Sequence, residues 1–147
     1  MSGGNVEFVE GLFAAGAAAT DKKTLVAALP QIIAETCDPE IEWIEDPRRA
    51  DGRSYRGHAG VRESWEHWLE AFDEYSFEVE QILDCGDDVL VVAREQVRGA
   101  ASGAPMTSRT YAVLTIRDGK LLRYREFYDE DAAKQAAGLP APDRADS

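Results

Sequence analysis

The sequence predicts an α+β fold in which a curved antiparallel or mixed sheet wraps around helices. Three observations carry that prediction. The N-terminal third has helical patterning, the C-terminal half holds four strand-like segments separated by turn signals, and HAGVRESWEHWLEAF between them forms one apolar stripe at helical spacing. Strands that follow helices in this order bury one sheet face against them. A cone of that kind leaves room for an internal pocket between the layers.

Taken in order, residues 5 to 19 repeat Val6, Val9, Leu12 and Phe13 at helical spacing and run on into alanines, the strongest helix formers. Asp21 is placed to cap a second helix that buries Leu25, Leu29, Ile32 and Ile33. Pro30 lies inside that pattern and predicts a kink or a new turn, because its ring removes an N–H and crowds the preceding turn. DPEIEWIEDP, residues 38 to 47, reads as a short strand between two Asp-Pro turns. Its Ile41, Trp43 and Glu45 point one way, and Glu42 and Ile44 the other.

RRADGRSYRG is a loop with a short strand around Tyr55, and the helix after it carries Val61, Trp65, Trp68, Leu69 and Phe72 on its stripe. Strands are expected over about 75–84, 88–99, 106–117 and 120–128, with hairpin turns at Gly86-Asp87-Asp88 and Asp118-Gly119. GAASGAP is a longer connection, DEDAAKQAAGL a last helix, and PAPDRADS a disordered tail, so a single domain is expected over residues 1–139.

At 147 residues the chain supports one domain with a core, and 44% hydrophobic residues argue that it folds. A net charge of -12 argues against nucleic acid and anionic membranes as partners, since both recruit basic surfaces. Cys37 and Cys85 have neither metal-ligand nor disulfide-scaffold spacing. His58 reads as a helix cap, His67 falls on a polar helix face, and neither has a metal-ligand partner at usable spacing. No metal and no cofactor are therefore expected. The N-terminus has no basic region before an apolar stretch and no run approaches a membrane span, which predicts a soluble, cytoplasmic protein.

LLRYREFYD, residues 121 to 129, poses the functional question. By strand alternation Leu122, Tyr124, Glu126 and Tyr128 share one face, and Leu121, Arg123, Arg125 and Phe127 the other. The more aromatic face thus contains a carboxylate, which is costly in a core unless it is paired or used. On the strand 88–99, Val92, Arg94 and Gln96 share a face, so Arg94 is a candidate ion-pair partner for Glu126. In TSRTYAVLTIR the small set Ser108, Thr110, Ala112 and Leu114 reads as the inner face, with Arg109 outside.

Several of these passages together resemble the SnoaL-like branch of the nuclear transport factor 2-like superfamily. They are DPEIEWIEDP, the Y-R-G-x-x-G-V-R-E-S-W run at 55–65, RDGKLLRYREFYD and the closing A-x-x-A-A-G-L at 133–139. The resemblance implies a cone-shaped barrel with an internal pocket, and a homodimer formed through the outer sheet face. Asp46, before Pro47, is placed similarly to the general base of the superfamily's ketosteroid isomerases. The first helix lacks their tyrosine, and SRTYAVLTI lacks their second acid. The limonene-epoxide hydrolases carry R-x-D on a central strand and an aspartate on the last; the matching positions here are Arg94-Glu95-Gln96 and Glu126, so their acid pair is incomplete. Polyketide cyclases of the SnoaL type need only one acid in an apolar pocket.

The expectation is a pocket for a small, mostly apolar organic molecule, with cofactor-free acid–base chemistry of the cyclase, isomerase or epoxide-hydrolase type. Glu126, Asp46 and Arg94 are the catalytic candidates, and Trp43, Tyr55, Trp65, Gln96 and Tyr124 are the candidate pocket wall. The alternative is a non-catalytic ligand-binding or interaction module in which Glu126 simply pairs with Arg94.

Overall fold

The chain opens with α1 (Ser2–Ala18) and α2 (Lys22–Thr36), followed by β1 (Cys37–Ile44), β2 (Ser54–Arg56) and α3 (Gly57–Ala71). It continues through β3 (Phe72–Cys85), β4 (Asp88–Gly99), β5 (Pro105–Arg117), β6 (Lys120–Phe127) and α4 (Glu130–Ala136). The computed structural model describes residues 2–18, 22–46, 53–99 and 103–139. The Asp21 cap and the tail 140–147 lie outside the described residues.

Local chemistry accounts for most of the boundaries. Asp129 caps α4 by accepting the Ala132 N–H at 3.0 Å, and Glu130, Asp131 and Lys134 match the helix dipole. Asp118 (φ 53°) and Gly119 (φ 73°) both adopt the left-handed conformation that a two-residue β5–β6 hairpin turn requires. Helix α2 continues through Pro30 without starting a new turn, because Leu25, Leu29 and Ile33 are buried on both sides of it and their burial outweighs a local cost of about 3 kcal/mol. Phe72, expected on the α3 stripe, instead opens β3.

The six strands form one mixed sheet in the order β2-β1-β6-β5-β4-β3. Only β1 and β6 run parallel; every other neighbouring pair is antiparallel. Bulges interrupt β3 at Val79/Gln81 and the β5–β6 ladder at Thr115/Ile116, and bulges of this kind bend a sheet. The second one slips Leu122 out of the ladder and sets Leu121 on the same inner face as Tyr124 and Glu126.

Helices α1, α2 and α3 pack on the concave face, where Val9, Leu29, Ile41, Val61, Val91 and Leu114 are all nearly inaccessible. The convex face has a smaller core of its own. Leu90, Val92, Tyr111 and Val113 are covered there by Ala133 and Ala137. Residues 89 to 93 of β4 are therefore buried on both faces, and their uninterrupted apolar run carries no alternation to read. Its inner positions are odd-numbered: Val91, Ala93 and Glu95.

Candidate functional site

A cavity of about 140 Å³ lies between the three long helices and the concave sheet face. Phe13, Leu29, Ile33, Trp65 and Trp68 line it from the helices, and Trp43, Val91, Leu114 and Tyr124 from the sheet. Polar groups converge on this apolar wall from three strands, one helix and the residue just past β1: Glu95, Thr110, Glu126, Ser64 and Glu45.

The parallel β1–β6 pairing organises one side. Trp43 stands opposite Tyr124, and their rings stack at 3.9 Å with planes 12° apart. Trp65 of α3 leans on the same indole at 6.4 Å. Glu126 shares the inner face of β6 with Tyr124, and Glu45, just past the end of β1, also lines the cavity. Glu45 is 4% exposed; its Oε2 accepts the Ser64 hydroxyl at 2.9 Å and its Oε1 the Arg53 N–H at 3.1 Å. Glu126 is 9% exposed, and its Oε1 accepts the Asp46 N–H at 3.4 Å.

Across the sheet, Ala112 opposes Glu126 and Ser108 opposes Glu95. Thr110 stands between these two positions on β5 and is diagonal to both carboxylates. Cys37 lies at the cavity wall, where burial pushes its thiol up, partly offset by the Thr36 hydroxyl at 3.8 Å and by Lys120. His58 ties this floor to α3, its Nε2 lying 2.8 Å from the Cys37 carbonyl.

The sequence-derived candidates divide. Glu126, Trp43, Trp65 and Tyr124 reach the cavity. Arg94 and Gln96 do not: both are exposed, because the inner face of β4 is the odd-numbered one. The expected Arg94–Glu126 ion pair is corrected accordingly. Arg94 instead bonds Glu80 at 3.0 Å, and Glu80 also holds Arg109 at 2.7 and 3.3 Å. Glu80 is the bulged residue of β3, placed to neutralise two arginines that oppose each other across β4 and β5. Its hydrogen bond to Arg109 leads in holding the Glu80 carboxyl below its ordinary value and raises Arg109 in turn.

Asp46 is buried, but it is not among the residues lining the cavity. Its carboxylate accepts the Tyr128 N–H at 2.8 Å, so it fastens the end of β1 to the end of β6. Tyr55 is also buried behind the wall, opposite Trp43 on β2. It packs against Gly60, where an added Cβ would stand 3.0 Å from the Tyr55 Cβ, so α3 makes its close approach there. Arg123 and Arg125, on the face of β6 opposite Tyr124, stay out of the cavity. Arg125 is half-buried near α4, bonding the Ala136 carbonyl at 3.3 Å with Asp88 at 3.6 Å, and burial pushes its guanidinium down.

Of these polar wall residues Glu45, Ser64, Glu95 and Thr110 were not among the candidates, although Thr110 was read on the inner face of its strand. Glu45 was legible, since it alternates with Ile41 and Trp43. Ser64 falls on the stripe of Val61, Trp65 and Trp68. Glu95 had no local signal. Among the described residues no group of three or more His, Cys, Asp or Glu is placed to hold a metal ion, and no helix is long and apolar enough to cross a membrane.

A family model described as the SnoaL-like domain matches residues 13–124. The chain belongs to the SnoaL-like family. Its solved relatives share the nuclear transport factor 2-like cone. A protein assigned as a SnoaL-like polyketide cyclase from Jannaschia sp. is 24% identical, with a TM-score of 0.70 over 93% of this chain and 93% of that one. TerC, solved with polyporic acid, is 22% identical with a TM-score of 0.61 over 77% of this chain and 92% of that one. A protein of ketosteroid isomerase-like fold from Catenulispora acidiphila, in complex with trimethylamine, is 15% identical with a TM-score of 0.65 over 88% and 93%. No curated protein matches the chain. At these identities the SnoaL-like relatives share a fold built to hold a ligand, and activity has to be argued from the site.

Proposed function

We propose that the SnoaL-like cavity binds a small, mostly apolar organic molecule and acts on it by cofactor-free acid–base chemistry. The observation that carries this reading is the presence of two buried carboxylates, Glu45 and Glu126, in the lining of a mostly apolar, aromatic cavity. A carboxyl group fixed in such surroundings can take a proton from a bound molecule and return it at another atom, which is what a cyclisation or isomerisation requires. Glu126 is the proton-transfer group. Glu45, oriented by Ser64 and the Arg53 N–H, faces the same ligand. Asp46 acts on Glu126 through the backbone, and Arg94 takes no part.

The test begins with native mass spectrometry of freshly purified protein, which identifies a co-purifying ligand. Glu126→Gln keeps the shape of the side chain but cannot exchange a proton at neutral pH. Turnover should fall by roughly 10²- to 10⁴-fold while the ligand still binds. Undiminished turnover in that variant would overturn the assignment of Glu126. A wild-type protein that binds its ligand and never converts it is a binding module.

The exposed part of the outer sheet face, with Arg94, Gln96 and Arg109, is where we place a homodimer contact. Light scattering on the eluting peak measures it directly.

A further inference from the structure

The cavity measures about 140 Å³, and an apolar cavity of about 150 Å³ accepts a molecule the size of benzene. Aromatic side chains set that limit. Phe13, Trp43, Trp65, Trp68, Phe77 and Tyr124 all stand in the lining, so the protein's own rings take up much of the space between helices and sheet. Protein interiors pack densely and yield little, so a second fused ring has to displace one of these side chains.

The rings are held in different ways. Phe13 and Phe77 brace each other edge to face at 5.5 Å. Trp43 and Tyr124 lie on paired strands and stack at 3.9 Å, which fixes the indole from the sheet side. Trp65 comes from α3, is half-buried, and meets Trp43 at 6.4 Å with planes 53° apart. Its helix is anchored by other residues, Val61, Ser64 and Leu69, which are all nearly inaccessible. Trp65 therefore narrows the cavity without being what fixes α3 in place.

Charge restricts the ligand further. The described lining contains no lysine, arginine or histidine to balance an anion. Both oxygens of Glu45 accept protein donors, the Ser64 hydroxyl and the Arg53 N–H, and Glu126 accepts the Asp46 N–H. A charged group would leave water for a mostly apolar wall whose carboxylates already hold such donors, a cost that an uncharged ring avoids.

We propose that the cavity takes one uncharged six-membered ring with a short substituent, and that the Trp65 indole excludes a second fused ring. This rests on the cavity being a ligand site, and it names the size and charge class that the site admits.

Four probes separate the two ideas. Benzyl alcohol and its two-ring counterpart 1-naphthalenemethanol are neutral, benzylamine is cationic at neutral pH and benzoate anionic. Each is titrated against the full chain by calorimetry. In an open apolar groove the two-ring alcohol would bind the more tightly, since it buries more apolar surface. Here it should bind at least about 10-fold more weakly than benzyl alcohol, the scale on which an apolar pocket discriminates by size. Benzylamine and benzoate should each fall at least about 10-fold below benzyl alcohol as well. Trp65→Ala should reverse the order of the two alcohols, a gain of binding that misfolding cannot produce. Trp65→Phe, which keeps a smaller ring on the same helix face, should give part of that gain.

Equal or tighter binding of the two-ring alcohol to wild type overturns the size limit, and equal or tighter binding of the amine or of benzoate overturns the uncharged class. Either result leaves the ligand site in place, whereas binding of none of the four overturns both ideas. If the folded variants still reject 1-naphthalenemethanol, or if neither variant folds, Trp65 is not the determinant, and the wild-type ranking still decides the size limit.

Discussion

Asp46 and Glu126, 80 residues apart in the chain, meet where β1 leaves the sheet: the Asp46 N–H points at Oε1 of Glu126 at 3.4 Å. The Asp46 carboxylate completes the link by accepting the N–H of Tyr128 at 2.8 Å. An aspartate at this point in the sequence suggests a general base, yet its side chain is spent on a backbone donor. Asp46→Ala removes the acceptor of this partly buried N–H and should destabilise the fold by about 1–3 kcal/mol, measured by urea unfolding. Any loss of turnover should track the loss of folded protein. A fully folded variant with no activity would return Asp46 to the chemistry.

Ser64 is 3% exposed and gives its hydroxyl to Glu45. Ser64→Ala removes one of the two donors that orient this carboxylate and should cost about 1–3 kcal/mol of stability. It should also weaken ligand binding, because the Glu45 carboxylate loses a donor that holds it at the cavity wall. Ser64→Thr keeps the hydroxyl and should restore binding.

The Glu80, Arg94 and Arg109 cluster lies on the outer sheet face, and Arg94→Gln should leave ligand binding unchanged. The sign of its pH dependence follows from Glu80. A carboxyl whose folded pKa is depressed contributes stability above its ordinary pKa and loses it as pH falls through the folded value. Melting temperatures of wild type and Glu80→Gln should therefore converge between neutral pH and about 3. The difference should also shrink in high salt, because these side chains are solvent-accessible.

Cys37 and Cys85 both have thiols pushed up by burial, but Cys37 is the more deeply enclosed. A thiol reacts as its thiolate, so Cys85 should be alkylated first in the native protein. Cys37 should react only as the cone opens, and a bound ligand should slow it further, since Cys37 lines the cavity. Peptide mapping after timed iodoacetamide treatment checks the order.

Legibility followed the range of the physics involved. Helical spacing, the Asp118-Gly119 turn and strand alternation in β1 and β6 are local, and they placed Trp43, Tyr124 and Glu126 on one inner surface. Reading Arg94 and Gln96 as inner residues failed because α4, arriving from the far end of the chain, buries Leu90 and Val92 from outside. With both faces apolar, β4 carries no alternation to show which face turns inward. Glu95 was missed for the same reason.

By itself, then, the sequence determined the order of elements, the cone-forming class and the side of β6 on which Glu126 sits, because each depends on a period of two or 3.6 residues. Tertiary structure decided what these residues meet. The parallel β1–β6 register brought Trp43 onto Tyr124, a bulge carried Glu80 to Arg94 and Arg109, and Asp46 found Tyr128 across the sheet. Those partners lie tens of residues apart, and strand pairing and bulge position, which no local pattern encodes, chose among them.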